Sequence, residues 1–212
     1  LNYLRPTAAT IGNHEFDYGA GVLARRTSES SFPWVSTNLL TADGSPVPGS
    51  RRWVTRTVGG VTVGIFGLAP QNVAETEPGF PDAYRVIDNV PAARTAVRNL
   101  EAAGAEYVVC ASHLALAGAE TVAKRVDGVD AIIGDHAEHV FDEPRVIDGT
   151  VVDTVGDAFH RVGAVTLGNG GVKDWQRVEV TPDVRRDRGM ASVVRKWRRR
   201  VSVGGAVVSF PP

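Results

Sequence analysis

The chain has 212 residues, 43% hydrophobic and 22% charged, which describes an ordinary folded domain with enough apolar content for a sizeable core. A formal net charge of −1 gives no whole-protein field for nucleic acid, and no apolar run reaches the roughly 18 residues that a membrane-spanning helix needs. The lone cysteine, Cys110, leaves no internal disulfide and no cysteine-built zinc site, and its place in EYVVCAS makes it a small buried hydrophobe.

The chain starts at Leu1 with LNYLRPT, which reads like the interior of a domain, so the sequence is expected to be part of a longer chain. TAATIG is the first predicted strand, ending at Gly12. FPWVSTNLL, bounded by Pro33 and by the turn-forming TADGSPVPGS, is the second. RRWVTRTVGGVTVGIFGLA reads as two strands joined by a two-residue turn at Gly59-Gly60. Its second arm is apolar almost throughout, as a strand buried on both faces should be.

Asn89 is a candidate helix cap, and Pro91 falls in the first turn, where a missing N–H costs nothing. Ala92, Ala96, Val97 and Leu100 recur at helical spacing, and Gly104 ends the helix. The strand EYVVCAS, the short helix GAETVAKRV and the strand VDAIIGD follow, an alternation that signals a layered α/β domain. After Pro144 the pattern turns to β, with TVVDTVG, RVGAVTLGN and WQRVEVTP read as antiparallel strands. The predicted domain spans residues 1–181, and 182–212 form a basic linker or tail with a helix near Ala191–Val201. The basic run Arg195–Arg200 is read first as a solvated face, with phosphate or acidic lipid as the alternative.

Polar clusters close several of the predicted strands. GNHEFD brings Asn13, His14, Glu15 and Asp17; SH brings Ser112 and His113; GDHAEH brings Asp135, His136, Glu138 and His139; and GDAFH brings Asp157 and His160. In layered α/β folds ligands bind at the carboxyl ends of strands. Four of the five histidines fall in the first three clusters, so a metal site there is preferred over four unrelated structural histidines. Imidazole, carboxylate and amide oxygen without thiolate suit zinc, manganese, iron, cobalt or nickel. They also suit a pair of ions that clamps a phosphoryl group. His14 and Asp17, three residues apart, form a candidate acid–base dyad in which the carboxylate charges the imidazole.

GNHEFDYG resembles a motif of the calcineurin-like metallophosphoesterases, in the branch of 5′-nucleotidases, UDP-sugar hydrolases and 2′,3′-cyclic phosphodiesterases. FPWVSTNLL, VGGVTVGIFGLAP, LEAAGAEYVVCASHLA and VDGVDAIIGDHAEH are similar to later segments of that branch, in the same order. The resemblance implies a four-layer αββα sandwich with mixed sheets, here partial, and two divalent metal ions along one edge. It makes Asn13, His113 and His136 ligands of the second metal and His14, paired with Asp17, the acid that stabilises the transition state. Where the family pattern has a second His, this sequence has Glu138, with His139 one residue later; Glu138 is the expected ligand, His139 the alternative if the loop shifts, and a solvated loop residue is the competing reading for either. Asp135 stands in place of a common Gly and is read as a loop residue.

GNHEFDYG is the third motif of such an enzyme, preceded by an Asp-x-His motif and a Gly-Asp motif that have no counterpart here. The expectation is an N-terminally truncated phosphoesterase domain, also without the C-terminal nucleotidase domain that grips the base. The implied activity is metal-dependent hydrolysis of a small phosphate ester, a nucleotide first, with no nucleic acid expected as partner because the near-neutral charge offers no strong footprint for one. The alternatives are a non-catalytic metal-binding remnant and a phosphodiesterase of the same superfamily.

Overall fold

A computed structural model describes residues 1–168 and 171–202, with side chains to Arg199; the apolar stretch VGGAVVSFPP lies outside the described residues. In chain order the first elements are β1 (Ala9–Thr10), a 3-10 turn (His14–Phe16), α1 (Ala20–Ser28), β2 (Trp34–Val35), β3 (Leu39–Thr41) and β4 (Ser50–Arg51). Next come β5 (Trp53–Val58), β6 (Val61–Leu68), α2 (Val73–Thr76), β7 (Tyr84–Val86), α3 (Asn89–Ala102), β8 (Tyr107–Ser112) and α4 (Leu116–Arg125). The remainder is β9 (Ala131–Ile133), β10 (Arg145–Ile147), β11 (Thr150–Asp153), β12 (Arg161–Gly168), β13 (Gly171–Glu179) and α5 (Arg188–Ser202). Contacts divide the chain into Leu1–Glu179 and Val180–Pro212.

The largest sheet of the first unit has six strands in the order β10-β11-β9-β8-β6-β5. It grows from the predicted hairpin, since Gly59 and Gly60, at φ 60° and 88°, supply the left-handed pair that a tight two-residue turn requires. β6, β8, β9 and β11 run parallel, and β5 and β10 close the edges antiparallel. TVVDTVG therefore differs from the expectation: it pairs parallel with β9 after a crossover as well as antiparallel with β10.

α3 and α4 cover one face of this sheet. Ala93, Ala96 and Leu100 of α3 and Val122 of α4 pack with Phe66, Val108, Cys110 and Ile132 of the strands in one core. Each large apolar side chain buried this way contributes about 1.5–3 kcal/mol. Cys110 is fully buried there, and burial pushes its thiol well above the usual range.

The opposite face carries a smaller layer, the parallel sheet β1-β2-β4 beside the antiparallel pair β3-β7. A Cβ on Gly67 of β6 would stand 2.4 Å from the Val35 carbonyl oxygen and 2.6 Å from Thr10 Oγ1, so glycine is what lets the two layers approach. Leu23 of α1 shares a second core with Ile11, Phe16, Leu39, Val47, Ala69 and Val73. Helices, sheet, smaller sheets and α1 thus stack as a four-layer α/β arrangement, with the mixed sheets anticipated.

FPWVSTNLL is two strands, not one. At its centre the Thr37 N–H donates to Gly67 O (2.8 Å) and Asn38 turns inward. The Asn38 amide donates to Ala69 O (2.8 Å) and to Asn89 Oδ1 (2.9 Å), and its oxygen accepts the Ala69 N–H (2.8 Å). Asn89 correspondingly begins α3 with its amide buried against Asn38, while Asp88 occupies the cap position. In the second unit, α5 starts where Asp187 Oδ1 accepts the Met190 N–H (2.7 Å).

Candidate metal centre

Three strand ends of the first unit build the site: the segment after β1, the residue after β8 and the loop after β9. Phe16 is fully buried, edge-on to Phe80 (ring centres 5.0 Å apart) and to Tyr84 (6.3 Å). That anchor fixes the 3-10 turn, so Asn13 faces inward and His14 faces solvent; Asn13 is 4% exposed and the His14 side chain 73%. Glu15 Oε2 closes the turn by accepting the Gly12 N–H (2.7 Å). Burial pushes the Glu15 carboxyl up, against that hydrogen bond.

Asn13 donates through Nδ2 to Glu77 Oε1 (2.7 Å), which turns its amide oxygen toward His113 Nε2, 3.0 Å away. His113 is held by its N–H to Leu68 O (2.9 Å), and His136 by its N–H to Leu114 O (3.0 Å). His136 Nδ1 lies 3.2 Å from the same His113 Nε2, the two rings edge to face at 75°. Burial, then the neighbouring His136 and His14, lower the His113 pKa, so its imidazole is held neutral. A Cβ on Gly12 would stand 2.6 Å from His113 Cδ2, so the backbone here is pressed against the ring.

Beside this group, His14 Nδ1 pairs with Asp17 Oδ1 at 3.1 Å. The hydrogen bond and the charge of Asp17 raise the His14 pKa. His14, Asp17 and Glu77 each place one ligand-type atom within 4.8 Å of the others.

The loop after β9 differs from the expected one. Asp135 is its organiser: its Oδ1 accepts the N–H groups of Ala137 and of Glu138 (2.7 Å), and its Oδ2 meets His139 Nδ1 at 2.5 Å. His139 is thereby committed to Asp135. Glu138 is exposed and left-handed at φ 61°. Among the described residues, neither shares a side-chain hydrogen bond with Asn13, His113 or His136. Glu77 had no signal in the sequence beyond being an acid in AETEPGF, 64 residues from Asn13.

The donor set fits a divalent cation. One amide oxygen and two imidazole nitrogens converge, with both contacts of His113 Nε2 at 3.2 Å or less, and each of the three atoms can offer a lone pair to a cation. A neutral imidazole is also the form that ligates.

No family model matches the chain. Over 146 residues it is 32% identical to "Protein 5NUC" of Lutzomyia longipalpis, a match that covers 66% of this chain and 25% of that one. Over 159 residues it is 28% identical to the trifunctional nucleotide phosphoesterase protein YfkN of Bacillus subtilis (strain 168), covering 66% of this chain and 11% of that one. The chain thus spans a minor share of the length of these curated relatives. Among solved structures, the 5′-nucleotidase precursor of Thermus thermophilus superposes with a TM-score of 0.81 at 27% identity, over 94% of this chain and 44% of that chain. The calcineurin-like phosphoesterase YfkN from Bacillus subtilis gives a TM-score of 0.80 at 20% identity, over 94% and 71% of the two chains, a likeness of fold.

Proposed function

We propose that this chain is a calcineurin-like metallophosphoesterase domain of the 5′-nucleotidase type, and that it hydrolyses phosphate monoesters with nucleotides as the substrate class. The observation that carries the reading is the meeting of Asn13, His113 and His136 at 3.0 and 3.2 Å beside the His14–Asp17 pair. The substrate class rests on the names of the relatives, several of which are nucleotidases.

Asn13 Oδ1, His113 Nε2 and His136 Nδ1 are the atoms that would hold one divalent ion. Zinc, manganese, iron, cobalt and nickel all suit that set. Such an ion, when bound, supplies charge neutralisation for a phosphoryl oxygen and an acidified water. Glu77 orients Asn13 by fixing which end of its amide faces His113. Glu138, with its carboxylate in solvent, is the residue we assign to a neighbouring ion, because His139 is held by Asp135.

His14 stands on the open side of the same turn, where a phosphate ester can reach it. Asp17 keeps its imidazole protonated to higher pH. The charged ring then donates a hydrogen bond to a phosphoryl oxygen, or a proton to the leaving oxygen, as negative charge develops. We assign this chemistry to residues 1–181 and treat 182–212 as a separate segment.

The test is hydrolysis of an aryl phosphate and of a nucleoside 5′-monophosphate by the 212-residue chain after chelation and after adding back manganese or zinc. Turnover that follows the metal and falls in His14→Asn supports the reading. Metal binding without turnover would instead identify a metal-binding domain that performs no catalysis.

A further inference from the structure

The second unit carries a feature that the phosphoesterase reading does not use. α5 (Arg188–Ser202), RGMASVVRKWRRRVS, contains no acidic residue. Met190, Val193, Val194 and Trp197 fall at i, i+3, i+4 and i+7, which places them on one stripe of the helix. Arg188, Arg195 and Arg199 fall on the opposite side, with Lys196 and Arg198 on the flanks. Along the stripe Met190 and Val193 are half-buried, while Val194 is 41% and Trp197 51% exposed.

The charge balance of the whole chain is −1, so this basic face is a local segregation of charge and not a property of the composition. Duplex or single-stranded nucleic acid would complement the arginines but leave the valine stripe in water. A neutral bilayer would take the stripe but not the charges. An anionic bilayer complements both: acyl boundary for Val194 and Trp197, headgroup phosphates for the guanidinium and ammonium groups. Tryptophan, with an apolar ring and one N–H, suits that boundary. Among the described residues no helix is long and apolar enough to cross a membrane, so the contact would be peripheral.

We propose that α5 lies flat in the surface of an anionic lipid bilayer, with Trp197 and Val194 inward and Arg195, Lys196, Arg198 and Arg199 on the lipid phosphates.

The experiment is co-sedimentation of the full 212-residue chain with vesicles of phosphatidylcholine plus phosphatidylserine, and with vesicles of phosphatidylcholine alone. About ten-fold or stronger partitioning onto the anionic vesicles is expected, weakening as salt rises. Arg195→Glu combined with Arg199→Glu should abolish the preference, and Trp197→Ser should weaken binding to the anionic vesicles severalfold. An unchanged thermal melt of these variants would show that the phosphoesterase unit is intact. Equal binding to both vesicles, no binding to either, unaltered binding by the variants, or retention by duplex DNA in place of vesicles would overturn the proposal.

Discussion

His113 Nε2 lies 3.0 Å from the Asn13 amide oxygen across 100 residues of chain, and 3.2 Å from His136 Nδ1. Parallel pairing of β8 and β9 brings His113 and His136 together, and the layer that holds β1 packs on β6 of that sheet to bring Asn13 to them. If it is a ligand set, His113→Ala removes the central donor. The affinity for manganese or zinc, measured by calorimetry, should then fall by more than the ~10–100-fold that loss of an outer partner costs. Glu77→Gln should fall within that smaller range, because it acts on the amide of Asn13 and not on the ion. An affinity unmoved by His113→Ala would remove this group from the metal chemistry.

His14 owes its raised pKa to Asp17, first through the hydrogen bond and then through charge. Asp17→Asn should bring it back toward the ordinary value of about 6.5, read by NMR titration of the His14 ring. Because the folded pKa is raised, the pair contributes stability that is fully present below the unfolded pKa. That contribution is lost as pH rises through the folded pKa. Both partners are largely exposed, at 73% and 42% of their side chains, so the change in stability will be small and the functional change larger. His14→Asn should lower kcat by about 10²–10⁴-fold with metal binding retained. In Asp17→Asn the limb of the pH–rate profile that needs charged His14 should move to lower pH; a limb that stays in place would separate Asp17 from the chemistry.

Asn38 is fully buried and joins Ala69, at the end of β6, to Asn89, at the start of α3. Asn38→Ala would strand the Ala69 N–H and the Asn89 amide oxygen in the interior. Orphaned buried groups cost about 1–3 kcal/mol each, so a loss of about 3 kcal/mol is expected in urea unfolding. Asn38→Asp should be no better, since a carboxylate would face the Ala69 carbonyl and the Asn89 oxygen. A loss below about 1 kcal/mol would show that the amide is dispensable.

The same residue shows where sequence reading reaches its limit. Ala92, Ala96, Val97 and Leu100 are buried as their spacing requires, because helix periodicity is local. The Gly59-Gly60 turn is legible for the same reason. Asn at a helix start favours capping, so sequence alone makes Asn89 a cap, and only the distant Asn38 shows otherwise. Asn13, His14, His113 and His136 lie in the polar clusters at strand ends, and the family resemblance, not position alone, singles them out. Glu77 is found by neither, since its place depends on how the Phe80 segment docks on Phe16, a tertiary fact. Asp135 reads as a plain loop residue in the sequence, although its side chain organises the loop and holds His139.

Gly12 offers the sharpest separation of site from scaffold. Its Cβ would lie 2.6 Å from His113 Cδ2 and 2.8 Å from Nε2, closer than carbon atoms tolerate. In Gly12→Ala either the imidazole tilts away or the chain after β1 shifts. Overpacking of this kind costs about 1–3 kcal/mol, which a domain with two hydrophobic cores can absorb while still folding. The ring cannot tilt, however, without changing its distances to Asn13 and His136. The expected outcome is a folded protein, by circular dichroism and thermal melt, whose metal affinity is reduced at least ten-fold, in line with the ~10–100-fold that loss of ligand support costs. Gly12→Ala with unaltered metal affinity would mean that the position of the His113 ring does not govern the ion, and the proposed ligand set would have to be abandoned.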